Sequence, residues 1–366
     1  MAQVITDMLN PWSADKIPDL SDKVAVVTGG NEGIAAAFCT ELFKHNVSKV
    51  IIVSNDAARH KDAVAHFTKE SGRDLVSNQV VFHEVDLGDY DAVKKVVEQI
   101  KNETDRIDIL DLSAAIGMYK TDVPESTTDK SHALDRHFAV NNVGHAILAD
   151  GLLELVKKTG KKTGDARIVV MASNLHFSAD SSVKWESIEE LNTDLGPTLQ
   201  YNRSKMGNVL YAKKLARIFK QEGIDDQVFV NSIHPGVVKT AQQDGALETY
   251  TEKVQATLGD GIIGNAAASA LEGANYAARA LLMKDSPAGA LSALYAATSP
   301  EVKDKKLQGE YIVPNGTVQT ADKRALDENY QDKFWTLLQE CISKGYGNAQ
   351  GADHQKGSTV RGSSTV

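Results

Sequence analysis

The chain has 366 residues, 42% of them hydrophobic and 24% charged, and carries a net charge of −9. A chain of that length can bury a large core without covalent staples, and its acidic balance argues against a nucleic-acid partner or an anionic-membrane surface. Two distant cysteines, Cys39 and Cys341, form no disulfide framework and suit a reducing compartment.

In chain order, residues 1–21 read as an N-terminal extension without the basic flank and apolar run of a secretory signal. Val24–Thr28 is an apolar strand, and a helix follows from Ile34 to about Lys44. Val50–Ser54 is the second strand, with a polar helical stretch around Ala57–Glu70, and Val80–Val85 is the third. Asp89–Asn102 sets Val93, Val96, Val97 and Ile100 on one helical face. Ile107–Leu112, Ile168–Ala172, Val228–Ile233 and Tyr311–Val313 read as the remaining strands. Helical patterns lie between them at Leu134–Leu155, Tyr201–Phe219 and Ala266–Met283. Apolar strands alternating with helices predict an α/β fold, a single doubly wound domain over residues 22–346. Its sheet is predominantly parallel, of about seven strands, with helices on both faces. Phe177–Gln200 and Ala241–Asn265 fit the alternation poorly and read as variable loops. Residues 347–366 are rich in Gly, Ser and Thr and read as a flexible tail. No apolar run approaches the roughly 18 residues that span a bilayer. No membrane insertion and a cytoplasmic location are therefore expected.

The first strand runs into Thr28-Gly29-Gly30-Asn31-Glu32-Gly33-Ile34-Ala35. Glycines permit a tight strand-to-helix turn and close approach of the backbone to a pyrophosphate, and the helix N-terminus offers free N–H groups and a positive dipole end. This turn, Pro18-Asp19-Leu20, Asp86-Leu87, Tyr201-Asn202-Arg203-Ser204-Lys205, Pro235-Gly236 and Leu294–Glu301 follow one another in order. Together they resemble the short-chain dehydrogenase/reductase family, in its retinol-dehydrogenase-like branch, over about residues 18–320. The resemblance implies a Rossmann-type fold that binds a nicotinamide dinucleotide. It places Thr28, Gly29, Asn31, Glu32, Gly33, Ile34, Ser54, Asn55, Asp86, Leu87, Ala114, Ala115, Pro235, Gly236, Val238 and Thr240 around the cofactor.

Tyr201 and Lys205 are four apart at the start of a predicted helix and face the same way. A free tyrosine, with a pKa of about 10, exchanges its proton poorly near neutrality, and a neighbouring ammonium is expected to lower that value. Both residues also belong to the cofactor set, because the resemblance gives Lys205 the ribose hydroxyls. It further implies that Ser173 polarises the reacting carbonyl. Asn141 matches the family's relay asparagine, with Asn142 one frame away. The implied reaction is hydride transfer between dinucleotide and carbonyl or alcohol, with Tyr201 as general acid or base.

The end of the second strand, Val53-Ser54-Asn55-Asp56, lacks the strand-end acid that selects NAD. Arg59 lies nearby and Glu32 opposes a phosphate, so NADP(H) is favoured slightly over NAD(H). The family's Asn-Asn-Ala-Gly motif is replaced by Leu112-Ser113-Ala114-Ala115, which removes a side-chain tie between strands and adds a methyl at the cofactor ribose. That departure keeps two alternatives open: a cyclase, dehydratase or isomerase that retains the cofactor structurally, and a non-catalytic nicotinamide sensor. His176, Phe177 and Trp185, with Leu195, Tyr250, Leu258 and Ile262, are candidate walls of a pocket for a hydrophobic small-molecule carbonyl or alcohol. The histidines show no metal-ligand spacing, so no metal is expected. The family implies association through the two long helices, and monomer and homodimer both stay open.

Overall fold

The computed structural model describes residues 12–118, 133–236 and 286–347. Eight strands form one sheet: β1 (Val24–Thr28), β2 (Lys49–Ser54), β3 (Val80–Glu84), β4 (Ile109–Leu112), β5 (Ala166–Met171), β6 (Val228–Ile233), β7 (Tyr311–Val313) and β8 (Thr317–Gln319). Their spatial order is β3-β2-β1-β4-β5-β6-β7-β8. Every pairing from β3 through β7 is parallel, and β8 returns antiparallel to β7. The order reverses direction between β1 and β4, so the crevice of an open α/β sheet lies beyond their C-terminal ends. Strands β1, β5 and β6 are buried throughout, which is why they read as unbroken apolar runs. The eighth strand was not expected: Thr317-Val318-Gln319 is exposed and too short to carry a pattern.

Helices α1 (Gly33–Lys44), α2 (Ala57–Ser71) and α6 (Ser286–Thr298) cover one face of the sheet. Trp12, Ile17 and Leu20 belong to the same cluster, and Trp12 meets Tyr295 edge-on with ring centroids 5.6 Å apart. Three residues of the expected extension thus pack on this face of the sheet. The other face is covered by α3 (Tyr90–Glu103), α4 (His145–Thr163) and α5 (Gly196–Glu222), with α7 (Glu328–Lys344) packed across α5.

Two helices differ from expectation where the site lies. The pattern over Leu134–Leu155 is not one α-helix. A short turn at Arg136–Phe138 runs into a π-helical segment, Ala139–Gly144, before α4 begins. The side chain of Asn141 leaves that segment to bond Ile116, which accounts for the widened turn. Helix α5 starts at Gly196, earlier than Tyr201, with Pro197 in its first turn. The expected helix at Ala266–Met283 and the loop Ala241–Asn265 lie outside the described residues.

Candidate active site

The β1–α1 turn is shaped by two glycines in the left-handed region. Gly29 has φ +70°, and a methyl there would press on Ala114 Cα at 3.3 Å. Gly33 has φ +58° and faces open space. The N-cap of α1, Glu32, makes no side-chain capping bond. The first N–H groups of α1 therefore lack a capping side chain, in the arrangement that holds a pyrophosphate.

Gly29, Asn31, Glu32, Gly33 and Ile34 line a cleft of about 740 Å³, a size that holds small ligands and cofactors. Ser54 and Asn55 from the end of β2, and Asp86 and Leu87 after β3, line the same cleft. Ala114 and Ala115 after β4, Ser173 after β5, Tyr201 and Lys205 from α5, and Pro235 and Gly236 after β6 also line it. Val238, Thr240, Tyr250, Leu258 and Ile262 lie outside the described residues. The glycine cradle and the N-terminus of α1 at one end of this cleft fit a dinucleotide.

Thr28 and Asn141 lie beneath the cleft instead of lining it. Thr28 is fully buried, and its hydroxyl accepts the N–H groups of Ser113 at 2.8 Å and Ala114 at 2.9 Å. Asn141 accepts from the Ile116 N–H at 2.8 Å, and its amide donates to the Ile116 carbonyl at 3.1 Å and Ser204 Oγ at 3.0 Å. The neighbouring Asn142 turns away to Ser204 O and Asn208.

Lys205 is buried, and Nζ donates to the Met171 carbonyl at 2.9 Å. Burial pushes its pKa down to about 7. Nζ stands 5.4 Å from the centre of the Tyr201 ring. The expected depression of the Tyr201 pKa is not what the structure shows. Burial pushes that phenol up to about 12, and the nearby Ser173 hydroxyl only partly opposes the rise. The lysine is itself desolvated and committed to Met171, so it does not lower the phenol. Ser173 also caps the following 3₁₀ turn, accepting from Leu175 N–H at 3.2 Å.

Beside the glycine turn, Arg59 pairs with Glu32 and, at 3.0 Å, with Asp56. Asp86 accepts from Gly88 N–H at 2.7 Å and pairs with Arg136. Arg136 lines the cleft and was missed in the sequence. Its position one turn before Asn141, on the segment that faces Asp86, was the available signal.

Among the described residues, His176, Phe177 and Trp185 do not line the cleft. His176 is fully buried. Its Nδ1 bonds the Ser173 carbonyl at 2.6 Å, and Nε2 accepts from Asp322 N–H at 3.1 Å. Trp185 is packed among Phe138, Tyr330 and Phe334. Phe177 is partly exposed and leans on His176 and Tyr311. The loop after Ser173 turns away from the cleft because Arg324 donates to the carbonyls of Ala179 and Asp180, each at 3.0 Å. Among the described residues no cluster of His, Cys, Asp or Glu is placed to hold a metal, and no helix is long and apolar enough to cross a membrane.

A short chain dehydrogenase family model matches residues 23–184. The chain is 40% identical over 234 residues to the mitochondrial protein bli-4 of Neurospora crassa, named an oxidoreductase. That match covers 63% of this chain and 55% of bli-4, so the chain spans little more than half of that relative. It is 30% identical over 226 residues to mouse retinol dehydrogenase 14, covering 60% of this chain and 62% of that protein. The crystal structure of levodione reductase superposes with a TM-score of 0.57 at 18% identity, covering 81% of this chain and 98% of that one, and so shares the fold.

Proposed function

We propose that this chain is an oxidoreductase of CH–OH groups, of the short-chain dehydrogenase/reductase family in its retinol-dehydrogenase-like branch, and that it interconverts a hydrophobic small-molecule carbonyl and its alcohol with a nicotinamide dinucleotide. One observation carries this reading. Ser173, Tyr201 and Lys205 line the same cleft as the glycine cradle and the N-terminus of α1. The bound dinucleotide supplies or accepts hydride. The chain's own groups orient the substrate and move one proton. Ser173 donates its hydroxyl to the substrate oxygen and polarises the carbonyl. Tyr201 passes its phenolic proton to the same oxygen as negative charge develops there. Lys205, held by Met171 with Nζ 5.4 Å from the centre of the Tyr201 ring, holds the ribose hydroxyls of the dinucleotide beside the tyrosine.

NADP(H) is slightly favoured, since Ser54 and Asn55 bring no carboxylate to the end of β2 and Arg59 supplies a cation there. Glu32 and Asp56 already share that cation and oppose the preference. A hydrophobic substrate agrees with the retinol of the mouse relative's name. Association through the long helices is opposed by α7, which covers part of α5, so a monomer is the favoured state, and sedimentation tests it. Two buried, unpaired cysteines suit a reducing compartment. The cytosol is proposed, and recovery in mitochondria on fractionation would overturn it.

The test is consumption of reduced dinucleotide against a panel of ketones and aldehydes by the wild-type protein and Tyr201→Phe. The variant should keep dinucleotide binding and lose at least about a hundred-fold in kcat. Tight dinucleotide binding with no turnover on any carbonyl or alcohol would favour a non-redox reaction at the same site.

A further inference from the structure

The replacement of the family's shelf motif by Leu112-Ser113-Ala114-Ala115 poses a physical question. The backbone over 113–116 forms the shelf beneath the cofactor cleft, and Leu112 cannot tie it to the neighbouring strands by a hydrogen bond. Two side chains hold it from below: Thr28 takes the N–H groups of Ser113 and Ala114, and Asn141 brackets Ile116. Both converge on one residue. His145, on the first turn of α4, is buried, with Nε2 3.0 Å from Thr28 Oγ1 and Nδ1 3.2 Å from the Asn141 carbonyl.

We propose that His145 is a positioning residue for the dinucleotide, locking the 113–116 shelf to α4 through Thr28 on one side and the Asn141 carbonyl on the other. This rests on the dinucleotide reading of the cleft. The hydrogen-bond directions leave a single arrangement. A carbonyl can only accept, so Nδ1 carries the proton and donates to Asn141 O. A neutral ring then presents Nε2 as an acceptor, and Thr28 must donate its hydroxyl to it. With its hydrogen committed there, Thr28 Oγ1 has both lone pairs free for the two shelf N–H groups. The ring stays neutral, because burial and the nearby Lys205 charge push its pKa down to about 4. His145 is thus a fixed dipole through the neutral range and not a proton carrier. Without it, the Thr28 hydroxyl has one other acceptor, the Asp111 carbonyl at 3.3 Å, a weaker and differently aimed partner.

The test is direct dinucleotide binding, read by the fluorescence of NADPH and of NADH, for wild type, His145→Phe, Thr28→Val and the double variant. His145→Phe should weaken binding about ten-fold, the loss of one well-aligned buried hydrogen-bond chain. KM for the dinucleotide should rise in step, while KM for the carbonyl stays put. Thr28→Val should weaken binding at least as much, and in that background His145→Phe should cost little more, because both break one chain. His145→Gln, which keeps an acceptor for Thr28, should recover part of the loss and serves if the phenylalanine variant does not fold. Unchanged binding in His145→Phe, multiplicative losses in the double variant, or a fall in kcat with binding intact would each overturn the proposal. A wild-type protein that binds neither dinucleotide would instead sink the functional reading beneath it.

Discussion

Lys205 gives the sharpest quantitative test of the site. Its amine is held in a desolvated place that lowers its pKa from 10.5 to about 7. The unfolded chain keeps the ordinary value, so between pH 7 and 10.5 the unfolded state binds the extra proton and stability rises with pH. At pH 7 the penalty of keeping this lysine is on the order of 4 kcal/mol. Lys205→Met keeps the aliphatic volume and removes the titrating group. The Met171 carbonyl retains Asn208 Nδ2 at 2.9 Å, so the lost hydrogen bond costs only about 1 kcal/mol. The variant, without cofactor, should therefore be more stable than wild type at pH 7 by on the order of 3 kcal/mol. The advantage should shrink by roughly 1.4 kcal/mol for each pH unit above 7. Urea titrations at pH 7 and pH 9 measure both quantities; His145, whose pKa the Lys205 charge helps to lower to about 4, is neutral across that range. Activity should be lost even as stability rises, the sign expected of a residue retained for function. A variant less stable than wild type at pH 7, or a stability gap that does not narrow by pH 9, would refute the desolvation argument.

Further expectations follow from other buried or paired charges. Asp111 on β4 is fully buried, and desolvation pushes its carboxyl up from 3.8 to about 7 against a smaller opposing effect of Ser113. The unfolded chain releases this proton first, so wild type loses stability as pH rises from about 4 through 7. Asp111→Asn should be the more stable protein at pH 8 by roughly 2–4 kcal/mol, with the gap closing towards pH 4, and thermal melts across that range decide it. Glu32→Gln releases Arg59 from one of its two carboxylates. It should raise the preference for NADPH over NADH about ten-fold, read as the ratio of kcat/KM values, since one charge near a phosphate is worth about 1–2 kcal/mol. Phe334→Ala removes a fully buried ring that meets Trp185 and Phe138 edge-on, and should cost about 3–5 kcal/mol in chemical denaturation.

The parallel core was legible because strands buried on both faces must be apolar throughout, and β1, β6 and β7 keep the boundaries read from residue type alone. What escaped depends on contacts distant in sequence. Strand β8 exists because Asn315 and Gly316, at φ 69° and 74°, turn the chain back onto β7, and its own residues are all exposed. The π-helical turn before α4 is set by Asn141 reaching Ile116, twenty-five positions away. His176, Phe177 and Trp185 follow Ser173 closely enough to suggest a pocket wall. Their direction is decided by Asp322, Arg324 and Phe334, near the end of the chain, which draw the loop into the core. Local sequence carries no record of that pull.

The motif departure at Leu112–Ala115 shows where motif reading and physical reading separate. Judged by side chains, this stretch has lost the asparagine tie and gained a methyl, and the shelf should loosen. Judged by its backbone, little is missing. Ser113 and Ala114 present N–H groups to Thr28, and Ile116 presents both of its backbone groups to Asn141. The requirement at such a shelf is that its peptide groups be held while its upper surface stays open to a ligand. Any acceptor or donor fixed beneath it meets that requirement. Here the fixing groups come from β1 and from the widened turn before α4, and His145 spans the two. The departure therefore weighs against the redox reading only if the spanning residue also fails, which makes His145, and not Ala115, the position at which the cofactor shelf of this chain is most exposed to loss.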